Sequence, residues 1–140
     1  MRLGLDSNVF IYALSRDGAW SEAAVAVLRQ LESGGATGVA SVLALSEVLA
    51  HPFRVSAEMG EAAQLFMEGL EGLDYVAVNE EVAIRAARLR AQHGIKLSTP
   101  DAIHLASAMA AGAEVFITND HALLKLKLEG LHIRLVGEPL

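Results

Sequence analysis

The stretch LSTPDAIHLASAMAAGAEVFITND, residues 97–120, predicts a helix that leads directly into a buried strand. Ser98 offers a hydroxyl cap, and Pro100 suits the first helical position because a proline loses no hydrogen bond there. Apolar residues follow at helical spacing, and Gly112 is a typical helix terminator. The first turn of this helix carries a carboxylate, Asp101.

A second carboxylate follows the strand of the same stretch. Residues 115–117 combine β-branched and aromatic side chains in a short apolar run, which is typical of a buried strand. The run ends abruptly at Thr118 and Asn119, and Asp120 comes next. The stretch therefore supplies two acidic groups, one at the start of a helix and one just beyond a strand.

Length and composition limit the class of protein. With 140 residues, 53% of them hydrophobic, the chain is predicted to form a single domain over 1–140, and a disordered chain is excluded. Because there is no cysteine, a disulfide framework, a thiolate zinc site and a cysteine nucleophile are excluded too. Asp6 and Asn8 interrupt the apolar N-terminus, and no run approaches the ~18 apolar residues of a membrane span. We expect a cytoplasmic protein with no membrane partner.

The net charge of −6 argues against broad, nonspecific binding of nucleic acid through a basic surface. The total charge does not show how the charges are distributed, however. A site with four carboxylates would supply most of the excess by itself, and a bound divalent cation would reverse its local sign.

The remaining sequence alternates strands and helices. Four further strands are predicted, at 3–5, 37–42, 75–78 and 133–136. Among the helices between them, one is predicted to be capped by Ser21, one to be broken at His51-Pro52, and one to run from an Asn79 cap to His93. Residues 121–127 are ambiguous: the stretch 124–128 alternates like a strand, but the position after an aspartate cap favours a short helix. The pattern predicts an α/β fold, a three-layer α/β/α sandwich with a mostly parallel central sheet.

Two more carboxylates stand out against this pattern. Asp6 follows the first strand, and Glu47 is the only charge in an apolar helical stretch, 43–50. Each aspartate has an alternative role as a helix cap or a dipole partner, and a partly exposed side chain is the alternative for Glu47. Burial of an uncompensated charge is costly, and divalent cations such as magnesium take oxygen ligands. A shared metal site is the more economical explanation.

Three blocks of the sequence, LDSNVFIYAL, SEVLA and TPDAIHLASAMAAGAEVFITND, occur in an order and at intervals that resemble PIN-domain proteins over essentially the whole chain. Thr118 matches the family's frequent hydroxyl position beside the metal, and Asn8 matches a commonly polar position. The family's acidic site falls, without departure, on the same four carboxylates: Asp6, Glu47, Asp101 and Asp120.

The compact length resembles the toxin ribonucleases of prokaryotic toxin–antitoxin pairs, the VapC group. This resemblance implies a metal-dependent endoribonuclease that hydrolyses RNA with Mg²⁺ or Mn²⁺, a cognate antitoxin, and a homodimer. Asp6 and Asp101 would be the principal ligands, and Asp120 would complete the site or hold a second ion. Glu47 would bind directly, bind through water or accept a proton, and the Thr118 hydroxyl would position a ligand or water.

Several other side chains have both a functional and a plain interpretation. His104 shares a helix face with Asp101, but a packed or surface histidine is the alternative. Lys96 and Arg54 are candidate phosphate contacts, with solvated charge as the alternative. Three arginines of the helix predicted after Asn79 form a solvated face or, alternatively, steer RNA toward the site. Trp20 is a candidate contact with a partner. The arginines concerned are Arg85, Arg88 and Arg90.

Two other functions fit the same residues. One is a catalytically silent PIN-fold module that binds RNA or protein, although a decayed site would be expected to have lost some of the four acids. The other is a metal-dependent phosphohydrolase that acts on DNA or a small molecule, because the metal chemistry is shared.

Overall fold

The first strand, β1, lies at the centre of a five-stranded sheet in this computed structural model, which describes residues 1–94 and 96–140. The strand order is β3-β2-β1-β4-β5, and every pairing is parallel. The three-layer prediction is confirmed, with a sheet that is parallel at every pairing. The strands are β1 (Arg2–Leu5), β2 (Thr37–Ser41), β3 (Leu73–Val76), β4 (Val115–Thr118) and β5 (His132–Leu135).

Helices cover both faces of this sheet. On one face, the first four helices pack against Leu3 and Leu5 of β1, whereas the fifth and sixth pack against Phe116 of β4 on the other. Within the described ranges, no helix combines the length and the apolar character needed to cross a bilayer. The helices are α1 (Ser7–Ser15), α2 (Ala19–Glu32), α3 (Leu43–Val55), α4 (Ala57–Glu68), α5 (Glu80–His93) and α6 (Thr99–Ala110), followed by a 3₁₀ helix (His121–Lys125).

Two predicted helix caps are confirmed. The Asn79 side chain accepts a hydrogen bond from the Val82 N–H, and the Ser98 hydroxyl accepts one from the Asp101 N–H. Both bonds satisfy N–H groups in the first turn that have no partner within the helix. The short helix favoured after Asp120 is also present, in the 3₁₀ form.

Three local predictions are wrong. Ser21 is a buried residue of α2 and not its cap, because the helix begins earlier, at Ala19, after Gly18. The His51-Pro52 pair does not end α3, which continues to Val55. Its last turn packs against α4 so closely that a Cβ on Gly60 would meet the Phe53 ring at 2.0 Å, and this packing offsets the hydrogen bond that the proline cannot donate.

The third error concerns the position of β3. It spans Leu73–Val76 and not 75–78, because its register with β2 pairs Gly38 with Leu73 and Ser41 with Val76. Tertiary pairing with the neighbouring strand therefore outweighs the local apolar pattern.

The close packing of α6 on β1 bears directly on the candidate site. A Cβ on Gly4 would lie 2.6 Å from the Cβ of Ala108, so only a glycine allows this approach of helix to strand. The same helix carries Asp101 near its start, and β1 ends next to Asp6. Contact between the two elements thus brings the two aspartates to one edge of the sheet.

Candidate active site

Asp6 lies just beyond the carboxyl end of β1 and is only 5% exposed. Its N–H donates to the carbonyl of Ile117 at 3.0 Å, which extends the pairing of β1 with β4 up to this residue. One carboxylate oxygen, Oδ1, accepts from the Ser7 N–H, and Oδ2 accepts from the Thr118 hydroxyl, both at 2.8 Å. The backbone and one hydroxyl therefore fix the orientation of this buried carboxylate.

The electrostatic surroundings of Asp6 disfavour its charged form. Burial raises the pKa of Asp6, and the nearby Glu47 raises it further, whereas His104 and the hydrogen bonds from Thr118 and Ser7 lower it. The net effect is a raised pKa because desolvation is the largest cause. A cation at this position would relieve the same penalty.

Thr118 is the last residue of β4 and is completely buried. Its Oγ1 donates to Asp6, accepts from the Asp120 N–H at 3.0 Å, and lies 3.4 Å from the Asn8 side-chain nitrogen, which donates to it. The Thr118 hydroxyl, which the sequence predicts beside the site, therefore connects the carboxyl ends of β1 and β4.

Asp101 lies in the first turn of α6 and is half-buried. Burial is the main reason that the pKa of Asp101 is raised, and the carboxylates of Asp6 and Asp120 raise it further. The hydrogen bond with Ser98 and the nearby His104 act in the opposite direction. Asp6 and Asp120 therefore both lie close enough to Asp101 to disfavour its charged form.

Asp120 caps a helix, which is the alternative role that its position in the sequence suggested, and it also lies near Asp101. Its Oδ1 accepts from the Ala122 N–H at 3.0 Å and caps the 3₁₀ helix. Its charge nevertheless acts on Asp101. A capping bond occupies only part of the acceptor capacity of a carboxylate, so the two roles are compatible.

Glu47 differs from the three aspartates because it lies on α3, on the other side of the sheet from α6. Its side chain is 34% exposed, so the partly exposed alternative describes it better than a buried charge does. Its Oε1 contacts Nε2 of His104, which is only 2% exposed on α6. The two helical layers therefore meet beyond the carboxyl edge of the sheet through this pair.

Pairwise electrostatic effects, of Glu47 on Asp6 and of Asp6 and Asp120 on Asp101, link the four carboxylates into one acidic group. It lies where the strand order reverses between β1 and β4, the usual ligand position in such sheets. Among residues 1–94 and 96–140, no three His, Asp or Glu side chains converge as a ready-made ion cluster. The donor chemistry fits a hard divalent cation, since the group offers carboxylate oxygens, and burial and neighbouring carboxylates disfavour the charges of Asp6 and Asp101.

Sequence reasoning did not identify Asn119 as part of this neighbourhood. Its side-chain nitrogen donates to the Tyr12 hydroxyl at 3.0 Å, and its Oδ1 is buried without a hydrogen-bond partner among the described residues. Asn8 has a similarly unpaired Oδ1. The position of Asn119 between Thr118 and Asp120 was the available signal.

The basic side chains have more varied surroundings than the sequence suggests. Arg90 donates from Nε to the Leu97 carbonyl at 3.0 Å, so it stabilises the connection that leads into α6. Arg85 forms an exposed pair with Glu81 one helical turn away, as expected for a solvated face. Exposed basic residues whose roles stay predictions are Arg54, Arg88 and Lys96.

An apolar groove adjoins the acidic group on the α3 side. It has a volume of about 600 Å³ and lies between α1, α3 and α4, with Glu47 among its lining residues. Its apolar lining includes Ile11, Val48, Met59 and Phe66. A ligand in this groove would reach the acidic group through Glu47.

Solved structures of low sequence identity share this fold. VapBC2 from Rickettsia felis, bound to a DNA fragment from its promoter, is 17% identical with a TM-score of 0.74, and the match covers 96% of this chain and 98% of that one. A toxin–antitoxin complex from Klebsiella pneumoniae is 24% identical with a TM-score of 0.65, covering 94% and 95%. FitAcB from Neisseria gonorrhoeae is 22% identical with a TM-score of 0.62, covering 86% and 88%.

No curated protein sequence matches the chain. The family model described as the PIN domain matches residues 4–128, which is most of the sequence and includes the four carboxylates and Thr118. Together with the parallel sheet, this match shows that the chain belongs to the PIN domain family.

Proposed function

We propose that this protein is a metal-dependent endoribonuclease and the toxin component of a prokaryotic toxin–antitoxin pair. The observation that carries the proposal is the placement of Asp6, Asp101 and Asp120 at the carboxyl edge of the sheet, with Glu47 in contact with His104 beside them. The similarity of the fold to solved toxin–antitoxin complexes supports the biological context.

The proposed roles of the aspartates follow from their surroundings. Asp6 and Asp101 are the principal ligands of Mg²⁺ or Mn²⁺, because burial makes both charges unfavourable without a cation. Each oxygen of Asp6 accepts one hydrogen bond and keeps acceptor capacity for an ion. Asp120 completes the site or holds a second ion, since its charge reaches Asp101.

Two further residues complete the proposed machinery. Thr118 holds Oδ2 of Asp6 in place through its hydroxyl. Glu47 lies on the opposite side of the group and is open to solvent, where it can receive a proton or contact the ion directly or through water. A bound divalent ion would supply an activated water and offset the charge of an RNA phosphodiester.

The partners proposed here are an RNA substrate, an antitoxin protein and a second copy of the chain. Solved relatives that are toxin–antitoxin complexes support the antitoxin. The homodimer rests on the resemblance to the VapC group, and a cytoplasmic location follows from the proposed RNA substrate. Co-expression with the protein encoded by the adjacent reading frame, followed by co-purification, tests the antitoxin.

A cleavage assay tests the catalytic proposal. The purified protein is incubated with structured RNA, single-stranded RNA and DNA of matched sequence, first with MgCl₂ or MnCl₂ and then with excess EDTA. We expect cleavage within RNA that requires the metal and stops with EDTA. Binding of RNA without cleavage would indicate a silent PIN-fold module, and cleavage of DNA or of a small phosphodiester alone would indicate another phosphohydrolase.

A further inference from the structure

His104 is the most buried ionisable side chain near the acidic group that the proposed mechanism does not yet use. It is 2% exposed, and its Nε2 contacts Oε1 of Glu47 across the edge of the sheet. Its other ring nitrogen, Nδ1, is buried without a hydrogen-bond partner among the described residues. Among the described residues, the Glu47 carboxylate is therefore the only hydrogen-bond partner of the His104 ring.

The chemistry of the pair determines which group donates. An ionised carboxylate can only accept hydrogen bonds, so the ring must carry a proton on Nε2 to make this contact. In the neutral ring, Nδ1 then keeps its lone pair, and Glu47 keeps Oε2 and the remaining acceptor sites of Oε1. The carboxylate is thus held at one oxygen and free at the other.

A hydrogen-bond partner that restrains the side chain is more important for Glu47 than for Asp6. Glutamate has an additional rotatable bond, and this side chain is 34% exposed on α3, so several rotamers are open to it. Asp6, in contrast, is held by a backbone N–H and by Thr118. The histidine provides the corresponding restraint for Glu47.

The position of His104 on α6 connects this restraint with the rest of the site. Asp101 lies three residues earlier on the same helix, so the two side chains lie on one face. His104 also lies close enough to Asp6 and Asp101 to affect the pKa of each carboxylate. One helix therefore carries a proposed ligand and also reaches the carboxylate that comes from the opposite layer.

We infer that His104 is a positioning residue that donates from Nε2 to Glu47 and aims the free carboxylate oxygen at the metal site. This inference rests on the proposed function, because it concerns the orientation of one of the proposed site residues. Removal of a hydrogen-bond partner behind a metal-site carboxylate typically costs about 10- to 100-fold in metal affinity or activity.

The first test compares His104→Leu, His104→Gln, Glu47→Ala and the double variant His104→Leu/Glu47→Ala. Mn²⁺ affinity is measured by isothermal titration calorimetry, and kcat and KM are measured on an RNA substrate. Whichever of the Mn²⁺ affinity, kcat or KM changes in Glu47→Ala should also change in His104→Leu, by about 10- to 100-fold. The double variant should be no worse than Glu47→Ala, because residues that act through one contact are not additive.

His104→Gln is the conservative variant, since its amide nitrogen can donate from nearly the position of Nε2. We expect it to recover most of the loss. His132→Leu removes an exposed histidine on β5 and serves as the matched control, with affinity and rates expected to equal those of the wild type. The inference would be overturned if the losses of His104→Leu and Glu47→Ala were additive in the double variant. It would also be overturned if either single variant had the Mn²⁺ affinity and the rates of the wild type.

A second test needs neither metal nor substrate. In ¹⁵N NMR spectra of the metal-free protein, His104 should show a proton on Nε2, and Glu47→Ala should alter the Nε2 signals selectively. A ring protonated only on Nδ1 would overturn the inference. Absence of Mn²⁺ binding and RNA cleavage in the wild type would contradict the proposed function instead, so the two failures are distinguishable.

Discussion

The Thr118 hydroxyl donates a hydrogen bond of 2.8 Å to Oδ2 of Asp6 and thereby joins the carboxyl ends of β4 and β1. The two residues are 112 positions apart in the sequence. Because both are buried, the bond is shielded from water and fixes the direction of the carboxylate. The centre of the proposed site therefore depends on the pairing of the first and fourth strands.

Substitution of this hydroxyl tests that dependence. Thr118→Val keeps the shape of the side chain but removes the hydrogen-bond partner of Asp6 Oδ2 and of the Asp120 N–H, so we expect a loss of about 1–3 kcal/mol in the free energy of unfolding. Urea denaturation measures this loss, and Thr118→Ser should retain most of the stability. Equal midpoints for the valine variant and the wild type would show that the hydroxyl contributes little.

Asp6→Asn tests the proposed principal ligand. The amide keeps the size of the side chain and removes a charge that burial makes unfavourable, so the metal-free fold should be at least as stable as in the wild type. RNA cleavage should fall to the level seen with EDTA. Asp17→Asn, on the exposed turn before α2, is the control and should cleave normally. Undiminished cleavage by Asp6→Asn would remove Asp6 from the mechanism.

The raised pKa values of Asp6 and Asp101 predict how the stability of the metal-free protein depends on pH. Each group binds its proton more tightly in the folded protein than in the unfolded chain, whose value is near the ordinary 3.8. The folded state therefore loses stability relative to the unfolded state as pH rises from 3.8 through the raised pKa values.

Thermal unfolding of the wild type and of Asp6→Asn between pH 3.5 and 7, in buffers with EDTA, measures this effect. We expect the wild type to lose stability relative to the variant as the pH rises from 3.8 through the raised pKa of Asp6. A difference between the two proteins that is constant over this range would contradict the direction of the pKa shift.

Metal binding should reverse that destabilisation at neutral pH. A ligand that binds only the folded state stabilises it by about 2.7 kcal/mol at a concentration 100 times its Kd. Differential scanning fluorimetry with increasing MnCl₂ should show a rising Tm that EDTA returns to its starting value. Asp101→Asn should rise much less, and an equal rise in that variant would exclude Asp101 as a principal ligand.

Gly4→Ala tests the close approach of α6 to β1. The added methyl group would lie 2.6 Å from the Cβ of Ala108, so the helix must shift, at a cost of about 1–3 kcal/mol. Because α6 carries Asp101, we also expect weaker Mn²⁺ binding. Gly35→Ala is the matched control, since its new Cβ would have no neighbour closer than 3.5 Å. Normal stability and affinity in Gly4→Ala would show that the helix position adjusts without consequence.

Local sequence signals predicted much of the fold because the relevant interactions are local. The Asn79 and Ser98 side chains cap helices three residues ahead of them, and alternating strands and helices led to the layered architecture. The errors occur where distant contacts decide the outcome. Phe53 packs on Gly60 and α3 continues past its proline, and pairing with β2 moves β3 by two residues.

The candidate site shows the same division. The positions of the aspartates after strands or at a helix start could be anticipated from the sequence, and so could a hydroxyl at Thr118. The contact between Glu47 and His104 spans 57 residues and connects opposite helical layers, so no spacing in the sequence indicates it. The same holds for the Asn119–Tyr12 hydrogen bond, which spans 107 residues.

The strand order has a consequence for how the chain is made. Translation delivers β1 to the ribosome exit first, yet its neighbour β4 follows more than 100 residues later, and domains acquire structure as synthesis proceeds at about 5–20 residues per second. A nascent polypeptide that has not yet reached residues 115–120 lacks the hydroxyl that orients Asp6. Any chain released before that point would carry Asp6 without the hydrogen bond that orients its carboxylate.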